Sequence, residues 1–361
     1  MPSARVNWPR AAEKLAAFVP RDRLHPAVLR WAESAGEGSG RWVVALSGGA
    51  DSVALLLLLW AHWPEQRARL LALHFDHRLR GRASTDDARF CAALCRGLGV
   101  ECVVGRRGAS GTNSKNAAAK QGLSEAEARA ARMAFFSTAL RRRRVAALFT
   151  GHHRDDVAET MLMRLARGSG TAGLAAPRPV QAHAAAGRVH LRPLLGLDKA
   201  ELASALAAAG GRWREDASNT SEKHLRNRVR AQLLPAWRTA AAEPGRDALA
   251  GLALSRELLD EDDAALEAWT GQAFRPDKRG GLALGPLRRL PRAVLRRVLH
   301  RWLATTPVRT DLNRRGFGGL LELVASGRTG VRHSLGTGHF ARLTRARLVC
   351  EPAQTGRRAP G

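Results

Sequence analysis

The sequence predicts an α/β fold: a parallel-sheet core domain followed by a mainly helical C-terminal domain with a small β unit. Three observations carry this. From Trp42 onwards, apolar runs of strand length alternate with longer helical stretches, the pattern of a parallel sheet with helices on both faces. The first strand runs into Ala45-Leu46-Ser47-Gly48-Gly49-Ala50-Asp51-Ser52, a glycine-containing turn that opens an almost wholly apolar helix. Beyond about residue 240 the alternation stops and long amphipathic stretches take over.

Residues 1–40 form a weakly patterned lead-in, with a short helix over Ala11 to Phe18 and a flexible connection at Gly36 to Gly40. Trp42 to Leu46 reads as a strand buried on both faces, and Val53 to Trp60 as a buried helix. Leu70 to Phe75 is a second strand. Ser84-Thr85-Asp86-Asp87 then opens a helix with a capping hydroxyl and an acidic first turn. Val100 to Val104 is a third strand, and Gly105 to Gly122 is a long polar loop of the kind that serves function in compact domains. Ser124 with Glu127 makes a capping box for a helix reaching about Leu140, and Val145 to Phe149 is a fourth strand.

Further on, Arg246 to Ala273, Leu287 to Leu303 and Asp311 to Ala325 read as helices, and Val331 to Val349 as a small antiparallel unit. Gly336-x-Gly338-x-x-Ala341 matches a dinucleotide fingerprint only superficially, because no strand–helix–strand unit surrounds it; it reads as a hairpin. The expected organisation is a lead-in (1–40), a core (41–240), a C-terminal domain (241–352) and a basic tail (353–361).

The polar chemistry gathers at the carboxyl ends of the strands, where open α/β sheets bind ligands. The Ser47–Ser52 turn places unpaired backbone N–H groups at the positive end of a helix, and its glycines let a ligand approach the backbone closely. That is an anion site, to which Ser47 and Ser52 add hydroxyl donors. Asp51 would repel a bare phosphate, so its presence points to an Mg²⁺ ion that neutralises both. No Gly-Lys-Ser/Thr follows, so the turn is not a Walker loop.

The second strand runs into His74-Phe75-Asp76-His77-Arg78-Leu79-Arg80, with His74 and Asp76 on one side and His77 where the chain leaves the sheet. A plain strand end and a metal site both fit these residues. The fourth strand ends in Thr150-Gly151-His152-His153-Arg154-Asp155-Asp156-Val157-Ala158-Glu159-Thr160. There Asp155 and Glu159 share a helix face, and Asp156 and Thr160 form the neighbouring row. Three carboxylates so placed suit a helix dipole, an Mg²⁺ ion or a cationic substrate group.

Composition narrows the partners. The 361 residues carry 59 basic and 32 acidic side chains, a net charge of +27, with only six lysines among the basic residues. Base composition can exchange lysine for arginine, but an excess over carboxylates of this size points to a polyanion. The longest apolar run, Val53 to Ala61, is too short to span a bilayer, and no tripartite leader opens the chain. Nucleic acid is therefore the expected partner, no membrane is expected, and the expected location is cytoplasmic. Cys91, Cys95, Cys102 and Cys350 contain no Cys-x-x-Cys pair and read as buried reduced thiols.

Ser47–Ser52 resembles the pyrophosphate-binding loop of the N-type ATP pyrophosphatases, the PP-loop superfamily. In its full set of motifs the chain resembles the tRNA(Ile)-lysidine synthases, which join lysine to the wobble cytidine of a CAU anticodon. The motifs that carry the resemblance are His74-x-Asp76-His77-x-Leu79-Arg80, Glu127-Ala128-Arg129-x-x-Arg132, the Thr150–Thr160 stretch and Arg167-Gly168-Ser169-Gly170-x-x-Gly173-Leu174. Arg192-Pro193-Leu194-Leu195, Glu215-Asp216-x-Ser218-Asn219, Leu225-Arg226-Asn227-x-Val229-Arg230 and Leu233-Leu234-Pro235 continue it in family order over about residues 40–240. Met133 departs from the usual aromatic, and Gly151 stands where the family often has alanine.

The resemblance implies an adenine nucleotide α hydrolase-like core. It also implies ATP with Mg²⁺ as cofactors, and tRNA(Ile) with a CAU anticodon and L-lysine as partners; a homodimer is left open. ATP binding falls to Ser47, Gly48, Gly49, Ala50, Asp51 and Ser52, with Asp51 as the metal ligand. Catalytic roles fall to Asp51, His74, Asp76, His77, His152, Asp155, Asp156 and Glu159, of which the last three also receive lysine. tRNA falls to Arg80, Arg129, Arg132, Arg167, Arg226, Asn227 and Arg230, and the region after 240 resembles the family's first C-terminal domain. A second C-terminal domain, present in longer members, is not expected.

The reaction so implied is adenylation of the cytidine oxygen followed by attack of the lysine ε-amine. Two other readings stay open. One is a tRNA thiolase of the same superfamily, which the cysteine spacing disfavours. The other is a non-catalytic RNA-binding protein, which the intact Ser47, Asp51 and Ser52 disfavour.

Overall fold

The computed structural model describes residues 6–34, 40–76, 82–106, 125–143, 145–183, 188–215, 225–243, 247–306 and 310–353. The chain divides into two compact units, Met1–Leu258 and Leu259–Gly361.

The first unit opens with helices α1 (Trp8–Phe18) and α2 (Pro26–Ser34). β1 (Arg41–Ala45), α3 (Ala50–His62), β2 (Leu70–Asp76), α4 (Arg82–Leu98), β3 (Glu101–Arg106), α5 (Glu125–Arg142) and β4 (Val145–Phe149) follow. Next come α6 (Arg154–Leu165), the single turn α7 (Thr171–Leu174), β5 (Val180–His183), β6 (Arg188–Leu191) and α8 (Lys199–Ala208). α9 (Leu225–Arg228) continues through a π-helical turn, Val229–Leu233, into α10 (Leu234–Ala240), and α11 (Ala248–Ala273) carries the boundary between the units.

The six strands form one sheet in the order β3-β2-β1-β4-β6-β5, parallel except for the edge strand β5. β1 is central, and its apolar run explains that position. Val44 and Trp42 face a core of α1, α3, α4 and α8 side chains, while Val43 joins Leu71, Leu73 and Leu148 against Phe136, Ala139 and Leu140 of α5. A strand covered on both faces has no polar side to give to solvent. Helix α3 is apolar all round for the same reason: Val53 to Trp60 are all buried. Each fully buried leucine there contributes about 1.5–3 kcal/mol.

The lead-in is more ordered than its pattern suggests. Asn7 caps α1 by accepting from the Arg10 N–H at 3.1 Å, and Trp8, Ala12 and Leu15 are buried in the main core. α2, absent from the sequence reading, places Trp31 against Trp42 and Phe149. α4 starts at Arg82, so Ser84 lies in its first turn rather than capping it. The expected polar loop yields Gly105 to β3, where its missing side chain admits the Phe135 ring. Residues 107–124 and the 36–39 connection lie outside the described residues.

In the second unit, the helix expected over Leu287 to Leu303 is two elements. β7 (Leu282–Ala283) leads into α12 (Leu284–Arg288), and Pro291 separates α12 from α13 (Arg292–Thr305) because its ring cannot continue a helix. α14 (Arg314–Ala325) starts from an Asn313 cap rather than at Asp311. β8 (Val331–Gly336), β9 (His339–Leu343) and β10 (Arg347–Pro352) complete an antiparallel sheet ordered β7-β10-β9-β8. Gly336 and Gly338, both at positive φ, form the β8–β9 hairpin turn. Val294, Leu295, Val298, Leu299 and Trp302 of α13 pack with α14 and this sheet into a separate core. Among the described residues no helix is long and apolar enough to cross a membrane.

Candidate active site

The glycine turn after β1 closes on itself through Ser52. Its hydroxyl accepts from the backbone N–H groups of Ser47 (3.1 Å) and Gly48 (3.2 Å) and donates to the Gly49 carbonyl (3.0 Å). The Ser47 hydroxyl lies 2.9 Å from it and accepts from the Gly49 N–H at 3.3 Å. The serines therefore shape the turn that presents the α3 N-terminus, in addition to any donor role toward an anion.

Gly48 sits at φ +95°, and a side chain there would press on Cys91 Sγ at 3.2 Å, so the turn requires glycine. Two neighbours hold it. His74, buried on β2, donates from Nδ1 to the Leu46 carbonyl at 2.9 Å, and burial lowers its pKa. The Arg214 N–H donates to the Gly48 carbonyl at 2.9 Å, while the Arg214 guanidinium pairs with Asp87 at 2.8 Å. His74 thus positions the turn, and Arg214 is a second residue in contact with it, one that no motif pointed to.

Beside it, β4 brings up the histidine and carboxylate residues. A Cβ on Gly151 would lie 2.9 Å from the Asp51 carbonyl, so the end of β4 and the first turn of α3 are in close contact. The two histidines that follow differ sharply. The His152 Nδ1 is 2.9 Å from the Thr150 hydroxyl, and burial lowers its pKa to about 4. His153 is buried between Asp51 (3.6 Å), Asp155 (3.4 Å) and Asp156 (3.3 Å). Burial alone would lower the His153 pKa, but the carboxylates of Asp155, Asp51 and Asp156 outweigh it and raise it to about 10. The imidazolium of this pair is therefore His153, which the motif contained but the choice of His152 passed over.

The carboxylates expected to receive lysine already hold arginines. Glu159 is fully buried and accepts from Arg226 Nε and Arg230 Nε, both at 2.6 Å. Asp156 accepts from Arg226 Nη2 and from the His153 N–H. Asp155 accepts from Arg238 Nη2 at 2.8 Å and from the Lys199 N–H at 3.1 Å. Burial works against ionisation of Asp155 and Asp156, yet His153 and the arginines hold both below the usual carboxylate range.

Arg226 and Arg230, expected to face RNA, thus point inward. They lie four residues apart on one helix face, and that face meets α6. Arg238 extends the row by two further turns. Four carboxylates, Asp51, Asp155, Asp156 and Glu159, meet four cations, His153, Arg226, Arg230 and Arg238. One acceptor is left over: Oδ1 of Asp51 is buried and meets no donor among the described residues.

Asp76 is buried at the end of β2. Arg132 and the backbone of Arg129 lie on α5, Asn227 is on α9, and Arg167 is exposed after α6. His77, Arg80 and the Arg129 side chain lie outside the described residues, as do Asp216, Ser218 and Asn219. Cys91 and Cys95 are buried free thiols as expected, and Cys102 and Cys350 are half-buried.

A five-strand parallel run with a glycine turn at a central helix N-terminus is the frame of a nucleotide-binding α/β domain, and residues 23–237 match the PP-loop domain. The chain belongs to the PP-loop family. Residues 282–349 match a second model, the TilS substrate binding domain. The chain is 39% identical to the tRNA(Ile)-lysidine synthase of Geobacter sulfurreducens over 73% of its own length and 55% of that protein. It is 40% identical to that of Pseudomonas syringae pv. tomato over 77% and 61%, and 39% identical to that of Symbiobacterium thermophilum over 70% and 50%. The chain therefore spans between 50% and 61% of the length of these relatives.

Proposed function

We propose that the chain ligates L-lysine to the wobble cytidine of tRNA(Ile) bearing a CAU anticodon, consuming ATP and releasing AMP and diphosphate. The observation that carries this is the pairing of the two matches, a PP-loop domain at 23–237 and a TilS substrate binding domain at 282–349, in a chain 39–40% identical to synthases of this kind. The site geometry supports it. The turn at the α3 N-terminus offers backbone N–H groups and a positive dipole to the leaving pyrophosphate.

Mg²⁺ fits Asp51: its buried, unpartnered Oδ1 is a hard oxygen donor, and an ion that keeps waters and phosphate oxygens needs few protein ligands. When bound, Mg²⁺ would neutralise charge building on the phosphates. The cytidine must leave its stack to reach the site. Its oxygen, once adenylated, becomes a leaving group that the lysine ε-amine displaces.

That amine must be neutral to attack, and it gives up its proton as the bond forms. The neutral ring of His152 is the acceptor we assign. Because the described site is already charge-balanced, an incoming ammonium has to displace a cation. Arg238, half exposed on Asp155, is the one most easily displaced, whereas Arg226 and Arg230 lock Glu159 in place. We therefore assign the lysine ammonium to Asp155 and Asp156, and Glu159 to positioning. The test is pyrophosphate release in the presence of tRNA, lysine or both: release that needs CAU-bearing tRNA supports the assignment, and release without RNA refutes it.

A further inference from the structure

We infer that Arg214, through its ion pair with Asp87, is a positioning residue for the glycine turn: it fixes the Gly48–Gly49 peptide in the orientation that aims N–H donors at the pyrophosphate end of ATP. This rests on the reading above that the turn receives the leaving pyrophosphate.

A peptide between two glycines is the softest joint in such a turn, because neither neighbour carries a Cβ to restrict its rotation. A trans peptide points its C=O and N–H in opposite directions, so whatever holds the Gly48 carbonyl also aims the Gly49 N–H. The Gly48 carbonyl accepts from the Arg214 N–H at 2.9 Å. The Gly49 N–H donates to the Ser47 hydroxyl at 3.3 Å, a long bond that an anion outcompetes. Donors already in place need no reorganisation when the anion arrives, and an anion turn gains affinity in that way.

The holding residue needs an anchor of its own. His74, which clamps the Leu46 carbonyl, stands on β2 within the sheet. Arg214 instead stands in the stretch 211–215, which follows α8 and belongs to no helix or strand. Trp213 packs against the main core, and the Arg214 guanidinium reaches α4, where Nε donates to Asp87 Oδ1 at 2.8 Å. The Arg214 side chain is 43% exposed, but that of Asp87 only 11%, so the pair is more than a solvated surface contact. Asp87, Phe90 and Cys91 share one face of α4. A Cβ on Gly48 would meet Cys91 Sγ at 3.2 Å, Phe90 Cδ1 at 3.7 Å and Arg214 Cγ at 3.8 Å. One helix face therefore both walls the bare side of Gly48 and anchors the residue that holds its carbonyl.

The test uses the full chain with Mg²⁺ and α,β-methylene ATP, an analogue that cannot release pyrophosphate. The variants are Arg214→Ala, Asp87→Asn, the two combined, and Arg214→Lys. Each of the first two should bind the analogue about tenfold more weakly. The combined variant should bind no more weakly than the worse single one, because both remove the same interaction. Arg214→Lys should recover most of the loss. In turnover with RNA and lysine, the KM for ATP should rise by the same factor while kcat stays within about twofold. Affinity for a CAU stem-loop RNA should not change.

Asp87→Asn keeps the shape of its side chain and carries the test even if Arg214→Ala fails to fold. Unchanged analogue affinity in the folded single variants overturns the inference. So do equal losses of ATP and RNA affinity with a lowered melting temperature, which would mark a pair that only holds the fold. A combined variant whose losses multiply overturns it too. If analogue binding weakens as stated in a chain that releases no pyrophosphate with RNA and lysine, the ligase reading fails while the role of Arg214 stands.

Discussion

Glu159→Gln tests whether the inward-facing arginines are held as the geometry has them. The substitution keeps the shape of the side chain and removes a charge that is 0% exposed and accepts from both Arg226 Nε and Arg230 Nε at 2.6 Å. Breaking a fully buried ion pair by removing one partner costs about 3–5 kcal/mol. Here the arginine side chains are 39% and 32% exposed, so water screens the charges left behind. A loss of about 2–3 kcal/mol follows. In a unit of this size that lowers the melting temperature by roughly 5–10 °C.

Thermal denaturation of Glu159→Gln, Arg230→Gln and the double variant forms a cycle in which the pair should couple by about 1 kcal/mol or more. The single variants should also lose activity through displacement of α6, with the double variant no worse than the sum. A Glu159→Gln protein melting within a degree of the parent, with no coupling to Arg230, would refute the reasoning. The arginines would then be free to face RNA in solution, as the sequence alone suggests.

Three further outcomes follow from the same geometry. Burial holds His152 near about 4, so between roughly pH 6.5 and 4 the unfolded chain binds a proton that the folded chain does not, and stability falls as pH falls. Worked from those values, about 2 kcal/mol is lost between pH 7 and pH 5, and His152→Gln should flatten that part of the stability profile in denaturant titrations. Gly151→Ala places a methyl 2.9 Å from the Asp51 carbonyl and should cost about 1–3 kcal/mol and weaken ATP binding; a variant with parental stability and ATP affinity would show that β4 and α3 separate freely. Finally, with a net charge of +27, log affinity for tRNA should fall linearly with log salt, with a slope matching roughly five or more phosphate contacts; a flat response would mean that the arginine excess is compositional.

The parallel core was legible because burial on both faces leaves uninterrupted apolar strands and an apolar α3, and few other folds permit both. Elements whose burial is partial were lost. β5 (Val-Gln-Ala-His) and β6 (Arg-Val-His-Leu) are short edge-side strands with polar residues, and α2 offers little more than two turns. The break at Pro291 was readable from proline chemistry, and the arginine pairs around it masked it.

At the site, the glycine turn and the carboxylate row could be read because each lies within one short stretch. Their partners could not. Arg226 and Arg238 reach carboxylates 67 and 83 residues away in sequence, and only the packing of α9 and α10 on α6 decides that they turn inward. The choice between His152 and His153 has the same origin. Adjacent residues at a helix N-terminus point in different directions, and the surrounding carboxylates, not the motif, determine which ring is charged.

The most direct test of the central claim is quantified AMP and pyrophosphate release by the full chain with ATP, Mg²⁺, CAU-bearing tRNA(Ile) and L-lysine, each omitted in turn. Mass analysis of the wobble nucleotide accompanies it. The account predicts equal amounts of AMP and pyrophosphate, dependence on the CAU-bearing RNA, and lysine joined to the cytidine. It also predicts that Asp51→Ala abolishes release while the RNA still binds. Pyrophosphate release that ignores the RNA, or that yields a thiolated base when a sulfur donor replaces lysine, would contradict it.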